Sequence, residues 1–336
     1  MIVTHLNLTD WRCYGTADVE LGSGVTIFVG QNGQGKTNLV EAVEYLSSMG
    51  SHRVSSEAPL VKAGCPQAIV RGRVQAAEDD PRKLLLEIEV NPGKANRARI
   101  NRNALPRARE ICGVLRTVVF SPEDLAIIKG DPSDRRAFLD QLVITRWPRM
   151  VGVKADHERA LKQRNSLLKN LAGRGGRIDE FAESTLEVWD EQVARIGSEL
   201  LHARLDTLTD LMPYVSEAYE SIAPTNNIAR AEYKTSLDLV PGLTEEPGRD
   251  LLERRLRDAM LARRREETAR GVSLVGHHRD DLNLFIGELP AKGYASHGEC
   301  WSLALALRLG GFQLLRADGI EPVLVLDDVF AELDST

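Results

Sequence analysis

Val29-Gly-Gln-Asn-Gly-Gln-Gly-Lys-Thr-Asn38, VGQNGQGKTN, is the stretch on which the reading of this chain turns. Within it, Gly30-x-x-x-x-Gly35-Lys36-Thr37 has the spacing of a phosphate-binding P-loop. Glycines let successive backbone N–H groups face one anion, and the N-terminus of a following helix adds the positive end of its dipole. Residues 25–29 (VTIFV) read as the strand before the loop, and a helix is expected from Lys36 to about Ser48. That context raises the motif above chance. The nucleotide-binding set is then Gly30, Gln31, Asn32, Gly33, Gln34, Gly35, Lys36, Thr37 and Asn38. Lys36 would reach the β- and γ-phosphates of ATP, and the Thr37 hydroxyl would ligate Mg2+.

Such a loop needs a second, acidic anchor for the metal. Pro322-Val-Leu-Val-Leu-Asp-Asp328 reads as a buried parallel strand ending in two carboxylates. Asp327 is expected to hold Mg2+, and Asp328 to orient or deprotonate the attacking water. In isolation the same pair also reads as carboxylates capping a following helix. The two motifs lie roughly 290 residues apart, a separation that suggests an ATP-binding-cassette architecture rather than a small kinase or GTPase. A third motif fits that architecture: Ala295-Ser296-His297-Gly298-Glu299, opening an apolar helix over 303–315. Ser296 and the backbone at Gly298 would meet the γ-phosphate of ATP held by a second copy of the chain. Ser296-x-x-Glu299 is equally a capping box, and both readings hold together.

Composition narrows the class. The 336 residues contain 43 Lys and Arg against 49 Asp and Glu, a net charge of −6. Global charge therefore does not point to nucleic acid, and any DNA contact requires local basic residues. No apolar run approaches the roughly 18 residues of a membrane span, and MIVTHLNLTD has no signal-peptide pattern. Cys13, Cys65, Cys112 and Cys300 show no metal-ligand spacing, which favours free thiols in a reducing cytoplasm. No membrane partner is expected.

Short strand-like runs fill the first part of the chain: 2–29, 68–74, 84–90, 98–101 and 117–120. Beyond Ser121 the character changes. Pro122 and Pro132 stand where helices open, and from about Pro148 to Ile222 almost nothing reads as strand. Trp189, Val193, Ile196 and Leu200 form one stripe of an amphipathic helix. Leu161, Leu168 and Leu171 suggest an earlier helix, and Gly173-Arg-Gly-Gly176 divides the two, so an antiparallel helical hairpin is expected. Strands return at 228–233 and 282–286. The expected fold class is α/β: an ABC-type P-loop ATPase head, with a mixed sheet around the P-loop helix and a helical second lobe. Residues 1–145 form the ATPase lobe, 146–271 the helical lobe, and 272–336 complete the first sheet with the signature helix and the acidic strand.

Five stretches together resemble the RecF family, bacterial recombination-mediator ATPases related to chromosome-maintenance ATPases. They are Asn7-Leu-Thr-Asp-Trp11-Arg12-Cys-Tyr14; the P-loop; Phe120-Ser-Pro-Glu-Asp-Leu125 with Gly130-Asp-Pro-Ser-Asp-Arg135-Arg136-Ala-Phe-Leu-Asp140; Leu274-Val-Gly276-His277-His278-Arg279-Asp280-Asp281; and Ala295–Glu299 through Leu326-Asp-Asp-Val-Phe-Ala-Glu-Leu-Asp334. The family usually has Pro at the position of His277. The resemblance implies an ATP-dependent homodimer that binds single- and double-stranded DNA without sequence preference. It also implies RecO and RecR as partners in loading RecA, and a nucleoid-associated, cytoplasmic location. By the same resemblance Arg12 would touch ATP phosphates. Where most transport cassettes carry Glu, this chain has Asp328, one methylene shorter, so hydrolysis is expected to be slow. Relatives continue past the position of Thr336, so a truncated end is expected.

For DNA, residues 94–109 (KANRARINRNALPRAR) hold six basic residues and no acidic ones. Arg97, Arg99 and Arg102 are the candidate phosphate contacts, with a solvated hairpin as the alternative. Arg254, Arg255, Arg257 and Arg263–Arg265 form another basic run, interspersed with acids that i,i+4 pairing would neutralise. Other readings are a chromosome-bridging ATPase, a transporter's nucleotide-binding subunit or a small-molecule kinase. The insertion is too short for long coiled-coil arms, and the stretches at 120–140 and 274–281 argue against a transporter.

Overall fold

The structure is a computed structural model and describes residues 1–173, 178–223, 228–237 and 248–329. In chain order the first elements are β1 (Ile2–Trp11), β2 (Tyr14–Glu20), α1 (Lys36–Ser48), β3 (Ala68–Gln75), β4 (Leu84–Val90), β5 (Arg97–Ile100), β6 (Asn103–Ala104) and β7 (Thr117–Phe120). There follow α2 (Leu125–Lys129), α3 (Pro132–Arg146), α4 (Met150–Gly173), α5 (Glu180–Ile222), β8 (Ala229–Lys234) and α6 (Arg249–Arg270). The chain closes with β9 (Asp281–Ile286), β10 (Leu289–Pro290), α7 (Ala291–Tyr294), α8 (His297–Ala317) and β11 (Val323–Leu326). Two compact units result: 1–125 with 297–336, and 126–296.

The first unit is built on a six-stranded antiparallel sheet in the order β2-β1-β3-β4-β5-β6. Alternation puts Leu6, Leu8, Val70, Leu86 and Ile88 on its buried side. Helix α1 lies close to β3 at Gly72, where a Cβ would stand 2.6 Å from Leu46 Cδ1. Strand β11 pairs in parallel with β7, Val323 opposite Thr117 and Leu326 opposite Phe120. A hydroxyl pair, Ser47 Oγ to Thr117 Oγ1 at 2.6 Å, ties α1 to that ladder. Helix α8 packs its Trp301 edge-on against Phe120, ring centroids 5.2 Å apart. It also sends Arg308 Nη2 to Asp124 Oδ1 at 2.7 Å.

The second unit holds the antiparallel hairpin of α4 and α5. Its pairings run in opposite directions along the chain: Leu171 packs with Ala182 and Leu186, Arg164 bonds Asp190, and Met150 packs with Leu200. Helix α6 adds Leu252, Leu256 and Met260 to Ala160 and Val193. Burial of these side chains is the main stabilising contribution, about 1.5–3 kcal/mol for each fully buried aliphatic group. Arg164 lies inside this packing and is fully satisfied there, donating to Asp190 Oδ1, Glu267 Oε2 and Ser273 Oγ, each at 2.6 Å. Strands β8, β9 and β10 form a separate antiparallel sheet.

Several boundaries differ from the sequence expectation. Residues 25–29 form no strand: Val25 and Val29 are 90% exposed and Ile27 77%. A strand is stabilised by its neighbours, and none of the described strands pairs with this run. The unit boundary falls at Leu125 rather than 145, because α3 buries Phe138 and Val143 and takes Arg204 of α5 onto Asp140 at 2.7 Å. It falls at His297 rather than 272, because β9 pairs with β8. The acidic strand is parallel as expected, but only Val325 of β11 is buried. The glycine break at 174–176 and the end of the chain from Phe330 lie outside the described residues.

Candidate nucleotide site

The P-loop enters α1 through Gly35, whose φ of 93° is a conformation that L side chains rarely adopt. A Cβ there would lie 2.8 Å from both Cys13 Sγ and Tyr14 Oη. Both residues follow β1 and cover the loop: Tyr14 donates its hydroxyl to Gly35 O at 3.2 Å. Asn38 Nδ2 donates to Cys13 Sγ at 3.1 Å, and Trp11 Nε1 donates to Asn38 O at 2.9 Å. The family-like opening segment is thus the platform under the glycine loop. Lys36 folds back over the loop, its Nζ donating to Gly30 O at 2.8 Å and Gln31 O at 3.0 Å.

Opposite the loop stands the end of β11. Thr37 Oγ1 donates to Asp327 Oδ1 at 3.2 Å. The register that sets this contact is short and direct, with Asp327 N–H bonded to Phe120 O at 2.9 Å, one step past the paired strands. Burial pushes the Asp327 carboxyl above its usual range; the Thr37 hydroxyl and His52 pull it down, while Asp328 and Glu123 push it further up. A half-buried carboxylate with two acidic neighbours is a group that a cation would relieve. Asp328 follows in a left-handed conformation, φ 48°, and is exposed. The donor set therefore fits magnesium and phosphate: a hydroxyl and a carboxylate in contact, an ammonium over a glycine loop, and a helix N-terminus behind it.

The other expected site residues have these surroundings. Arg12 is engaged by other partners. Its guanidinium grips the buried Glu41 of α1 with Nε and Nη2, Nε to Oε2 at 2.7 Å. Opposite charge at zero exposure outcompetes a solvated position beside an open loop. Ser296 precedes α8 directly and Gly298 lies in that helix's first turn, together with Glu299. Arg97 and Arg99 belong to a cross-strand ladder, Arg97 with Glu89 at 3.5 Å and Arg99 with Glu87 and Glu89. Both therefore lean on carboxylates of β4, Arg99 closely and Arg97 from a largely exposed position. Arg102, at the exposed β5–β6 turn with φ 70°, has no ion pair among the described residues. The sequence reading missed Glu41 and Glu44, two glutamates three residues apart on the buried side of α1, and the His52 they flank. Charged residues inside an otherwise apolar helix face were the available signal.

The stretches at 130–140 and 276–281 are structural. Arg135 Nε donates to Asp281 Oδ1 at 2.7 Å, and Arg136 Nη1 donates to Asp280 O at 2.8 Å, fastening α3 to β9. Lys292 Nζ and Arg135 Nη1 both donate to Gly130 O, at 2.7 and 3.1 Å.

Residues 2–336 match the family model described as the RecF/RecN/SMC N terminal domain. A DNA replication and repair protein RecF of Cutibacterium acnes is 61% identical over the whole of this chain, which spans 87% of that relative. The chain belongs to the RecF family. The RecF of Streptomyces avermitilis is 57% identical, with the whole chain and 88% of the relative covered. A solved structure of the recombination mediator protein RecF with ATP in the RecFOR pathway superposes with a TM-score of 0.89. It is 30% identical, with 99% of this chain and 86% of that one covered. The Smc head domain of Pyrococcus furiosus, 18% identical with a TM-score of 0.50 over 99% of this chain and 83% of that one, shares the fold. The ABC-type head expected from the three motifs is therefore the fold of this RecF-family chain.

Proposed function

We propose that this RecF-family chain is an ATP-operated DNA clamp of recombinational repair and replication-fork maintenance. The observation that carries the reading is the contact of Thr37 with Asp327 beside Lys36. Lys36 exchanges the carbonyls of Gly30 and Gln31 for the phosphates of ATP, and the backbone N–H groups of 30–37 cradle them. Thr37 and Asp327 would hold Mg2+, which would offset the charge of the phosphates. Asp328 orients the attacking water. Its short side chain keeps hydrolysis slow, a timed switch in which DNA speeds turnover. Two copies close on two ATP molecules, each presenting Ser296 and Gly298 to the nucleotide of the other. Closure grips single- and double-stranded DNA at gaps and junctions, and hydrolysis releases it. The RecFOR pathway named for the solved relative supports RecO and RecR as partners in loading RecA. On DNA, the pairing of Arg97 and Arg99 with glutamates leaves Arg102 as the hairpin's phosphate contact, with Arg107 beside it on the exposed loop.

The test is chain mass and DNA retention with and without ATP, for the parent, Lys36→Arg and Ser296→Arg. The parent should form ATP-dependent dimers that retain DNA, and Ser296→Arg should bind ATP without pairing. A parent that stays monomeric and holds no DNA with ATP would overturn the clamp.

A further inference from the structure

Helix α8 carries a tryptophan, Trp301, about one turn after its start at His297. The residue is 2% exposed, and its ring stands edge-on to Phe120 of β7, centroids 5.2 Å apart and planes at 84°. Two turns further along the same face of the helix, Arg308 donates to Asp124 with Nη2 and Nε, at 2.7 and 3.1 Å. Asp124 also accepts the Ser121 N–H at 3.0 Å in the turn that follows β7. The helix is thus fastened to β7 and its turn at two points, and the place of the indole is set with it. A buried indole N–H needs an acceptor. The one it takes is the carbonyl of Val329, Nε1 to O at 3.3 Å.

That carbonyl belongs to the residue after Asp328. On the other side of Asp328, the Asp327 N–H is bonded to Phe120 O at 2.9 Å. Phe120 therefore serves both ends: its carbonyl holds the strand side, and its ring supports the indole that holds the far side. Val329 is itself buried. Asp328 between these tethers is exposed and left-handed, φ 48°. A non-glycine residue in that region costs about 1–3 kcal/mol and persists only where its surroundings over-determine it. The two backbone tethers are such surroundings. They leave the Asp328 carboxylate in solvent and fix the direction in which its side chain departs.

We propose that Trp301 is a positioning residue for hydrolysis, its indole N–H holding the Val329 carbonyl so that Asp328 is aimed at the attacking water. In that step the water oxygen bonds to the γ-phosphorus, and the bond from phosphorus to the bridging oxygen breaks. ADP leaves with the electron pair of that bond; one water proton stays on the phosphate and the other goes to solvent. Trp301 acts through the backbone of residues 328–329. Asp327 keeps the Phe120 carbonyl and Thr37 without it, so the metal-binding half of the site does not depend on the indole. The inference rests on the reading of Asp328 given above.

The experiment is single-turnover release of labelled phosphate from ATP with Mg2+ and DNA, beside equilibrium binding of a fluorescent ATP analogue with Mg2+. Trp301→Phe keeps a ring against Phe120 and removes the N–H. It should bind the analogue within about twofold of wild type and hydrolyse about fivefold more slowly, the scale of one hydrogen bond. Asp328→Asn should slow hydrolysis by about a hundredfold. Adding Trp301→Phe to it should cost less than about twofold more, because the group that the indole positions is already gone. Unchanged hydrolysis in Trp301→Phe would overturn the proposal, as would the same fivefold loss in both backgrounds, which marks a packing role. Should Trp301→Phe not fold, Val329→Gly, which loosens the same carbonyl, is read in its place, and undiminished hydrolysis there overturns the tether. If Asp328→Asn hydrolyses as fast as wild type, the reading of Asp328 fails, and this inference with it.

Discussion

Thr37 and Asp327 are 290 residues apart in the chain, and their side chains meet at 3.2 Å. One sits in the first turn of the helix behind the glycine loop, the other one residue past a parallel strand. The contact joins the two ends of the chain at the point where a metal ion would bind. Thr37→Val and Asp327→Ala should each abolish most of the Mg2+-dependent affinity for nucleotide, about tenfold or more (about 1.4 kcal/mol), while metal-free binding changes little. Equilibrium binding with and without EDTA checks it. Because burial raises the Asp327 carboxyl, protons compete with the metal at a higher pH than for an ordinary aspartate. The metal-dependent gain should therefore fade on acidification before an exposed carboxylate would titrate.

Arg164 is buried in the helical unit with three partners on two other elements and the loop after α6. Removing it leaves Asp190 and Glu267 as buried carboxylates, although Asp190 retains Arg264 Nη2 at 2.6 Å. Breaking a buried ion pair from one side costs about 3–5 kcal/mol. Arg164→Ala should lower stability by that amount in urea unfolding. Arg263→Ala, whose ion pair with Glu266 is on the surface, should change it by less than about 1 kcal/mol.

His157, His277 and His278 cluster on the same unit, the first two rings 4.1 Å apart over Gly197 of α5. Burial lowers all three, and the positive charge of Arg204 adds to the effect on His157 and His277, while Arg279 and Arg136 act on His278. Asp140 opposes the shift at His157, and Lys154 reinforces it at His277. His157 falls to about 4 and His278 to about 3. A base whose folded pKa is depressed takes up its proton in the unfolded chain first. Stability is then complete above about pH 6.5 and is lost as pH falls toward 4, by up to about 1.4 kcal/mol per pH unit for each histidine. Thermal midpoints between pH 7 and 4.5 should fall steeply in the parent and less steeply in His157→Gln. Equal slopes would show that these rings do not govern the acid limit.

The arginines of the β5 hairpin separate into paired and unpaired groups. Arg99→Ala should leave the salt dependence of DNA binding nearly unchanged, since its guanidinium is held by both Glu87 and Glu89, whereas Arg97 is largely exposed and shares Glu89 with it. Arg102→Ala with Arg107→Ala should flatten the slope of log K against log salt by roughly 0.9 for each phosphate no longer neutralised. Filter retention across a salt series distinguishes them, and the opposite ranking would assign the phosphates to the strand arginines instead.

Much of the architecture is legible locally. Helix α1 spans the predicted Lys36–Ser48, and β4 and β7 have the predicted bounds. Each is set by near neighbours in sequence: a glycine loop and first-turn geometry for the helix, short apolar runs for the strands, wholly buried in β7. Residues 25–29 have equally strong local character and yet form no strand, because pairing is a property of the neighbour and not of the segment. Arg12 shows the same limit for side chains. Its motif foretold an anion, and the anion it meets is Glu41, brought alongside by the helix.

The sequence by itself determined the chemistry available to this protein: a glycine loop with its lysine and threonine, a strand ending in two aspartates and a serine-glycine turn before an apolar helix, and, with the stretches at 7–14, 120–140 and 274–281, the resemblance to the RecF family. It did so because each of those motifs acts through residues that are close in the chain. Tertiary structure alone decided which charges remain free. Arg97, Arg99, Arg135 and Arg164 look alike in sequence, and each is matched by a carboxylate from another element. The same packing buried His52 against Glu44 and left Arg102 in solvent. An ion pair forms where two distant elements bring opposite charges together out of water, and no local pattern records that meeting.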